Sequence, residues 1–310
     1  MSVQSSAIVP QRKVLSATPA GLGWGFLGVL AFSFTLPLTR IALDGLSPLF
    51  IGSGRAVVAA VLAATVLTVT RQALPRGRQW LQLLVVAGGV VAGFPLLTSY
   101  ALTEVPASHG AVVIALLPAA TAVMAVLRTG ERPVRAFWIF SACGAAAAIA
   151  FAVAQGGGVS HLQRADVLLF VAVLLCAAGY AEGALLTKEL GPWQTISWAL
   201  VVALPAMAVL AAVSVAQQPP TGSIGVWACF AYLAVISMYL GFFAWYHGLA
   251  LGPMAQVSQV QLIQPVLSIA WAALLLAEQI TWFTFAGGLA VILFARGATS
   301  SRARRASARS

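Results

Sequence analysis

Residues 260–278 read VQLIQPVLSIAWAALLLAE, an apolar run with Gln261 and Gln264 set inside it and Pro265 directly after. A second stretch, residues 113–131, reads VIALLPAATAVMAVLRTGE. Shifted by 147 positions, it lays Pro118 on Pro265, Thr121 on Ser268 and Glu131 on Glu278, while Ile114 and Leu117 stand where the glutamines are. That offset is about half of the 310-residue chain and points to an internal duplication. Other pairs keep the same order. Pro106 falls on Pro253, Tyr100 on Tyr246 after one insertion, and Leu38-Thr39-Arg40 resembles Leu186-Thr187-Lys188.

Hydrophobic residues make up 61% of the chain and charged residues only 8%. A soluble domain carries about 25% charged residues, so most of this surface cannot face water. A helix crosses the hydrocarbon core with about 20 apolar residues. On that rule the chain holds ten spans, near 20–38, 47–70, 79–100, 106–127, 136–155, 166–187, 193–216, 224–249, 253–276 and 282–297. The predicted fold class is therefore all-α and integral to a membrane. With five helices per copy, the second copy enters from the opposite side, giving two inverted five-helix repeats. The expected organisation is a tail over 1–19, repeats over 20–155 and 166–297, and a basic tail over 298–310.

A net charge of +10 invites a nucleic-acid reading, but its placement argues otherwise. With the amino terminus in the cytoplasm, fourteen Lys and Arg fall on the cytoplasmic side and only Arg40 and Arg164 on the other. That bias places both termini in the cytoplasm. The RARRASARS tail suits anionic lipid headgroups as well as a plain topology anchor. Arg12-Lys13 before the first apolar run has no A-x-A cleavage site after it, so an uncleaved first helix is expected. Cys143, Cys176 and Cys229 lie far apart within spans, without metal-ligand spacing. No metal, cofactor or nucleic acid is expected, and with no Walker motif present no ATPase subunit is implied.

At 100° per residue Gln261, Gln264 and Ser268 share one helical face, with Trp271 beside them. A buried amide must bond a neighbouring helix or line a cavity. Two glutamines and a serine on a face broken by proline favour the cavity. Pro118 and Pro265 loosen the carbonyls of Ile114 and Gln261 and are candidate hinges. Tyr232, Tyr239 and Tyr246, spaced by seven, form a stripe that suits either the core or an aromatic ligand. Trp198, Trp245 and Trp271 lie deep enough to reach a site, whereas six other tryptophans sit near span ends. The pairs Gly21/Gly25, Gly89/Gly93 and Gly179/Gly183 have the spacing of close helix packing.

Arg55 and Glu182 are the clear charges inside spans, which makes each a functional candidate. Arg55 suits a substrate carboxylate in a bidentate grip, and Glu182 is the acidic candidate for proton coupling. Their depths differ by on the order of 10 Å at ~1.5 Å rise per residue, which argues against a direct pair. His109 and His247 lie near span ends and read as structural. Gly52-Ser53-Gly54 is the best material for an intramembrane protease, but no second motif supports it. No filter-like loop marks a channel. The chain reads as a transporter, not an enzyme.

The span-end pattern Pro118…Gly130-Glu131-Arg132-Pro133…Gly144 and its counterpart Pro265…Glu278…Gly287-Gly288 resemble the drug/metabolite transporter superfamily in its ten-helix EamA-type form. The second copy departs from the first at Glu278-Gln279-Ile280. By overall likeness the chain most resembles the YddG-type aromatic amino-acid exporters. That resemblance implies a basket of ten helices in the bacterial inner membrane, exporting aromatic and other neutral amino acids. The expected site uses Gln261, Gln264, Ser268 and Arg55 for polar ends and Tyr239, Tyr246 and Trp271 as wall. A multidrug or other metabolite exporter of the same architecture is the alternative.

Overall fold

A computed structural model describes residues 19–129, 135–155, 163–251 and 258–308. The amino-terminal tail, the Gly130–Pro133 junction, Pro253 and Gln256 lie outside them. The described residues form helices and turns only. In chain order these are α1 (Pro19–Ala42), α2 (Pro48–Val69), α3 (Gln79–Ala101) and α4 (Ala107–Arg128). The first half closes with α5 (Arg135–Gln155). The second half comprises α6 (Arg164–Leu190), α7 (Pro192–Gln217), α8 (Ile224–Gly248), α9 (Val260–Leu276) and α10 (Trp282–Ala308). Seven are long and apolar enough to cross a membrane by themselves, while α5, α9 and α10 supply shorter apolar stretches. Helix α10 runs on through residues expected as a basic tail.

The packing carries the duplication into space. Helix α2 packs on α7, α5 on α10 and α4 on α9. Helix α1 packs on α8 just as α6 packs on α3, and α9 on α1 just as α4 on α6. Exchanging each helix of these pairs for its counterpart in the other half returns a pair of the same set, as a pseudo-two-fold axis would. Small residues make these approaches close, because helix association in lipid depends on van der Waals fit rather than on hydrophobic exclusion. Ala56, Ala59, Ala60 and Ala63 give α2 a fully buried seam. A Cβ on Gly28 would lie 2.9 Å from Trp245, and one on Gly179 would lie 2.7 Å from Val90. These two contacts belong to the symmetry-related pairs α1–α8 and α3–α6.

Five helices are not regular, and their irregularities follow the prolines in part. Helix α1 breaks at Phe34, three residues before Pro37. Helix α4 breaks at Ala115–Leu116 and restarts with Leu117-Pro118. Helix α9 is entered through a 3₁₀ segment, Ser258–Ile263, and becomes α-helical at Gln264-Pro265. A proline at the first or second residue of a restarted helix leaves no intrahelical donor missing. Residues Ala87–Gly93 of α3 and Tyr232–Leu240 of α8 wind as π-helix, at corresponding positions of the two halves. Pro95 follows the first of these, whereas Pro205 sits inside an unbroken α7.

The bundle has chemically distinct ends. At the basic end Gln79 donates to Glu189 at 3.0 Å and Gln194 to Gln72 at 3.3 Å. Arg128 pairs there with Glu182. At the other end Glu278 accepts from the first-turn amides of α4, Ala107 at 2.8 Å and Ser108 at 2.9 Å. His109 Nε2 lies 2.7 Å from Asp166 Oδ1 beside it, both side chains buried. Asp166 also accepts from the Gln163 amide, closing a capping box on α6.

Candidate functional site

A cavity lies between the halves, lined by residues of both. Phe32, Phe94, Tyr180 and Phe242 supply an aromatic wall, and Leu36, Val90, Ile114, Leu117 and Met238 an aliphatic one. Its polar members are Arg55, Thr35, Ser237 and Gln264. The helix irregularities converge here. Thr35 and Leu36 follow the α1 break, Ile114 and Leu117 flank the α4 break, and Gln264 opens the α-helical part of α9. Val90 belongs to the π segment of α3, and Ser237 and Met238 to that of α8. Irregular backbone at membrane depth is tolerated where protein buries it or a cavity adjoins it, and this cavity meets that condition.

Arg55 is the strongest feature of the wall. It is only 1% exposed, and its Nε has no hydrogen-bond partner among the described residues. No described carboxylate pairs with it, and none lines the cavity. Removing an unpaired guanidinium from water costs several kcal/mol even after relaxation. The unbroken helix α2 holds it there, with Gly52 and Gly54 just before it letting α3 and Phe230 close in. Thr35 and Ser237 bond one another at 2.7 Å across α1 and α8. Gln264 Oε1 is a buried acceptor without a partner among the described residues.

A smaller compartment adjoins the cavity through Leu36, Ile114, Leu117 and Gln264. Gln261, Ser268, Pro118 and Pro265 line it. Gln261 Nε2 is buried there and unpartnered among the described residues, while Ser268 donates to the Ser33 carbonyl at 2.8 Å. The polar face read from the sequence is thus assembled, with Gln264 and Arg55 on the main wall.

The other predicted wall residues lie elsewhere. Tyr239 Oη meets Ser197 at 3.2 Å and its ring meets Phe243, within the α7–α8 contact. Tyr246 packs on Gly183 behind Phe242, ring centroids 5.7 Å apart. The π winding of α8 explains the displacement. It holds more residues per turn, so a spacing of seven no longer returns to one face, and Ser237, Met238 and Phe242 take the cavity side. Trp271 stacks on Phe34 at 4.4 Å and donates Nε1–H to Ser33 Oγ at 3.0 Å. Trp198 meets Trp80, and Trp245 packs against Gly28. Glu182 is held by Arg128 and by Gln82 at 2.9 Å, at the basic end and off the cavity wall. It is placed to fasten α6 to α3 and α4.

The residues alone do not single out Thr35, Phe94, Tyr180, Ser237 or Phe242. A signal was present, because Pro37, Pro95, Pro118 and Pro265 each lie on the wall of one of the two compartments or within two residues of it.

These features define a helical membrane carrier built from two five-helix halves around one small cavity. The EamA-like transporter family matches the chain twice, over residues 19–153 and 163–298, and the chain belongs to that family. It is 49% identical over 276 residues to the uncharacterized transporter YdeK of Bacillus subtilis strain 168, covering 87% of this chain and 94% of that one. It is 27% identical over 250 residues to a probable terminal-alkyne amino-acid exporter of Streptantibioticus cattleyicolor, covering 77% and 80% of the two chains. A crystal structure with 17% identity superposes with a TM-score of 0.62 over 92% of this chain and 98% of its own, which speaks to the fold alone.

Proposed function

We propose that this transporter exports aromatic and other neutral amino acids across the bacterial inner membrane by alternating access. In this reading both termini are cytoplasmic, at the basic end, and the halves 20–155 and 166–297 rock around the cavity, with Pro118 and Pro265 as hinges. Arg55 carries the reading: a buried, unpartnered guanidinium in an aromatic cavity offers a carboxylate a bidentate grip and its side chain an apolar wall. The relative described as a probable amino-acid exporter points the same way. Gln264, with Gln261 and Ser268 behind it, is assigned the remaining polar contacts.

Uptake of labelled phenylalanine into proteoliposomes tests this, with tryptophan, alanine and a bulky cationic drug as competitors. Saturable uptake is expected, blocked by the amino acids but not by the drug. Arg55→Met is expected to abolish it while melting within a few degrees of the parent. Gln261→Ala/Gln264→Ala is expected to weaken it. Block by the drug alone identifies a multidrug carrier, and full uptake by folded Arg55→Met removes the assigned site.

A further inference from the structure

The chain has seven Asp and Glu. Asp166 is taken by His109, Glu182 by Arg128 and Gln82, Glu189 by Gln79, and Glu278 by the start of α4. Asp44 and Glu104 lie in the connections after α1 and α3, and Glu131 lies outside the described residues. Among the described residues no acidic side chain lines the cavity. A carboxylate entering it neutralises Arg55, but an ammonium entering with it finds no counter-charge.

What the cavity offers a nitrogen is neutral. Gln264 Oε1 is the unpartnered acceptor, and the Thr35 and Ser237 hydroxyls already bond each other. An ammonium carries three donors and a full charge, and desolvating it beside a guanidinium is unfavourable without a paired anion. A keto oxygen or an amide N–H presents one neutral group, and the hydroxyl pair and Gln264 Oε1 complement those.

We propose that the cavity reads its substrate's carboxylate and not an ammonium, so that aromatic and apolar monocarboxylates without a charged nitrogen, 2-oxo acids and N-acyl amino acids, are substrates that it binds more tightly than the free amino acids. This rests on the central cavity being the transport site.

Binding to the purified full-length protein in lipid nanodiscs tests it, using four ligands with the same ring: phenylalanine, phenylpyruvate, N-acetylphenylalanine and phenylalaninamide. Phenylpyruvate and N-acetylphenylalanine are expected to bind about tenfold more tightly than phenylalanine, and phenylalaninamide not measurably. Arg55→Met is expected to erase the preference. Should that variant fail to fold, Arg55→Lys is expected to keep the order with all three carboxylates weakened. Phenylalanine binding as tightly as phenylpyruvate, phenylalaninamide binding as well as phenylalanine, or no carboxylate binding at all overturns the inference. Vesicle uptake separates the two readings. The expected binding order with no phenylalanine uptake sinks amino-acid export and leaves the carboxylate reading standing. Phenylalanine uptake with the reverse order does the opposite.

Discussion

Ser268 donates its hydroxyl proton to the main-chain carbonyl of Ser33, 2.8 Å away and 235 residues distant in the chain. The carbonyl is free because Pro37, four residues on, has no N–H to offer it. One half of the duplication thus repairs a backbone defect in the other. The counterpart of Ser268 in the first half is Thr121, whose Oγ1 is buried without a partner among the described residues. It belongs to α4, which packs against α6, a helix with no proline to release a carbonyl. The symmetric frame therefore supports an asymmetric bond.

Ser268→Ala is expected to leave the Ser33 carbonyl unpaired and buried, at a cost of about 1–3 kcal/mol. Pro37→Ala restores the intrahelical donor, so the double variant is expected to recover most of the loss. Thermal unfolding of both single variants and the double in detergent measures the coupling. Equal, additive losses would show that the Ser268 bond does nothing for the freed carbonyl.

The Arg128–Glu182 pair is unequal in exposure. The Arg128 side chain is 34% exposed, whereas that of Glu182 is 10% exposed and also bonded to Gln82. Removing Arg128 orphans the buried partner, while removing Glu182 orphans the one that reaches water. Arg128→Gln is therefore expected to lower the melting temperature more than Glu182→Gln, since a charge left unpaired in the interior costs most. If transport responds to a pH gradient, the response is expected to survive Glu182→Gln. Loss of it would return proton coupling to this residue.

Glu278 spans the gap between the end of α9 and the start of α4, accepting two otherwise orphaned amides at a positive helix end. Glu278→Ala is expected to cost about 2 kcal/mol, and Glu278→Gln, which keeps one acceptor, about half of that. Hydrogen exchange of the peptide carrying Ala107 and Ser108 reads it directly. Faster exchange confined to that peptide is expected, and unchanged protection would mean that the carboxylate merely lies nearby.

Much of this architecture is legible in the residues because the controlling signals are local. Apolar run lengths mark the helices, and Pro118 and Pro265 at matched positions mark the duplication and two of the helix breaks. Gln264 and Arg55 stand out because polar groups in apolar runs must be satisfied somewhere. What escapes is anything that depends on winding. The tyrosine stripe of α8 assumes an α-helical period, and the π segment at Tyr232–Leu240 turns it toward α6 and α7. The partner of Glu182 is equally hidden, since Arg128 comes from a helix end that reads as a loop cation until α4 is laid against α6.

The glycine contacts separate packing from composition, because two glycines of one helix meet different surroundings. A Cβ on Gly28 would fall 2.9 Å from Trp245 Cβ and N and 3.0 Å from the Gly241 carbonyl, so backbone stands in the way and α1 must move off α8. A Cβ on Gly23 meets nothing within 4 Å. Gly23→Ala is expected to be neutral or slightly stabilising, since alanine favours the helix by up to ~1 kcal/mol. Gly28→Ala is expected to destabilise by about 1–3 kcal/mol, as overpacking does in a close-packed interior. Both variants need only a melting curve and a size-exclusion profile in the same detergent. Equal behaviour of the two would mean that α1 and α8 do not approach as closely as the Gly28–Trp245 contact requires.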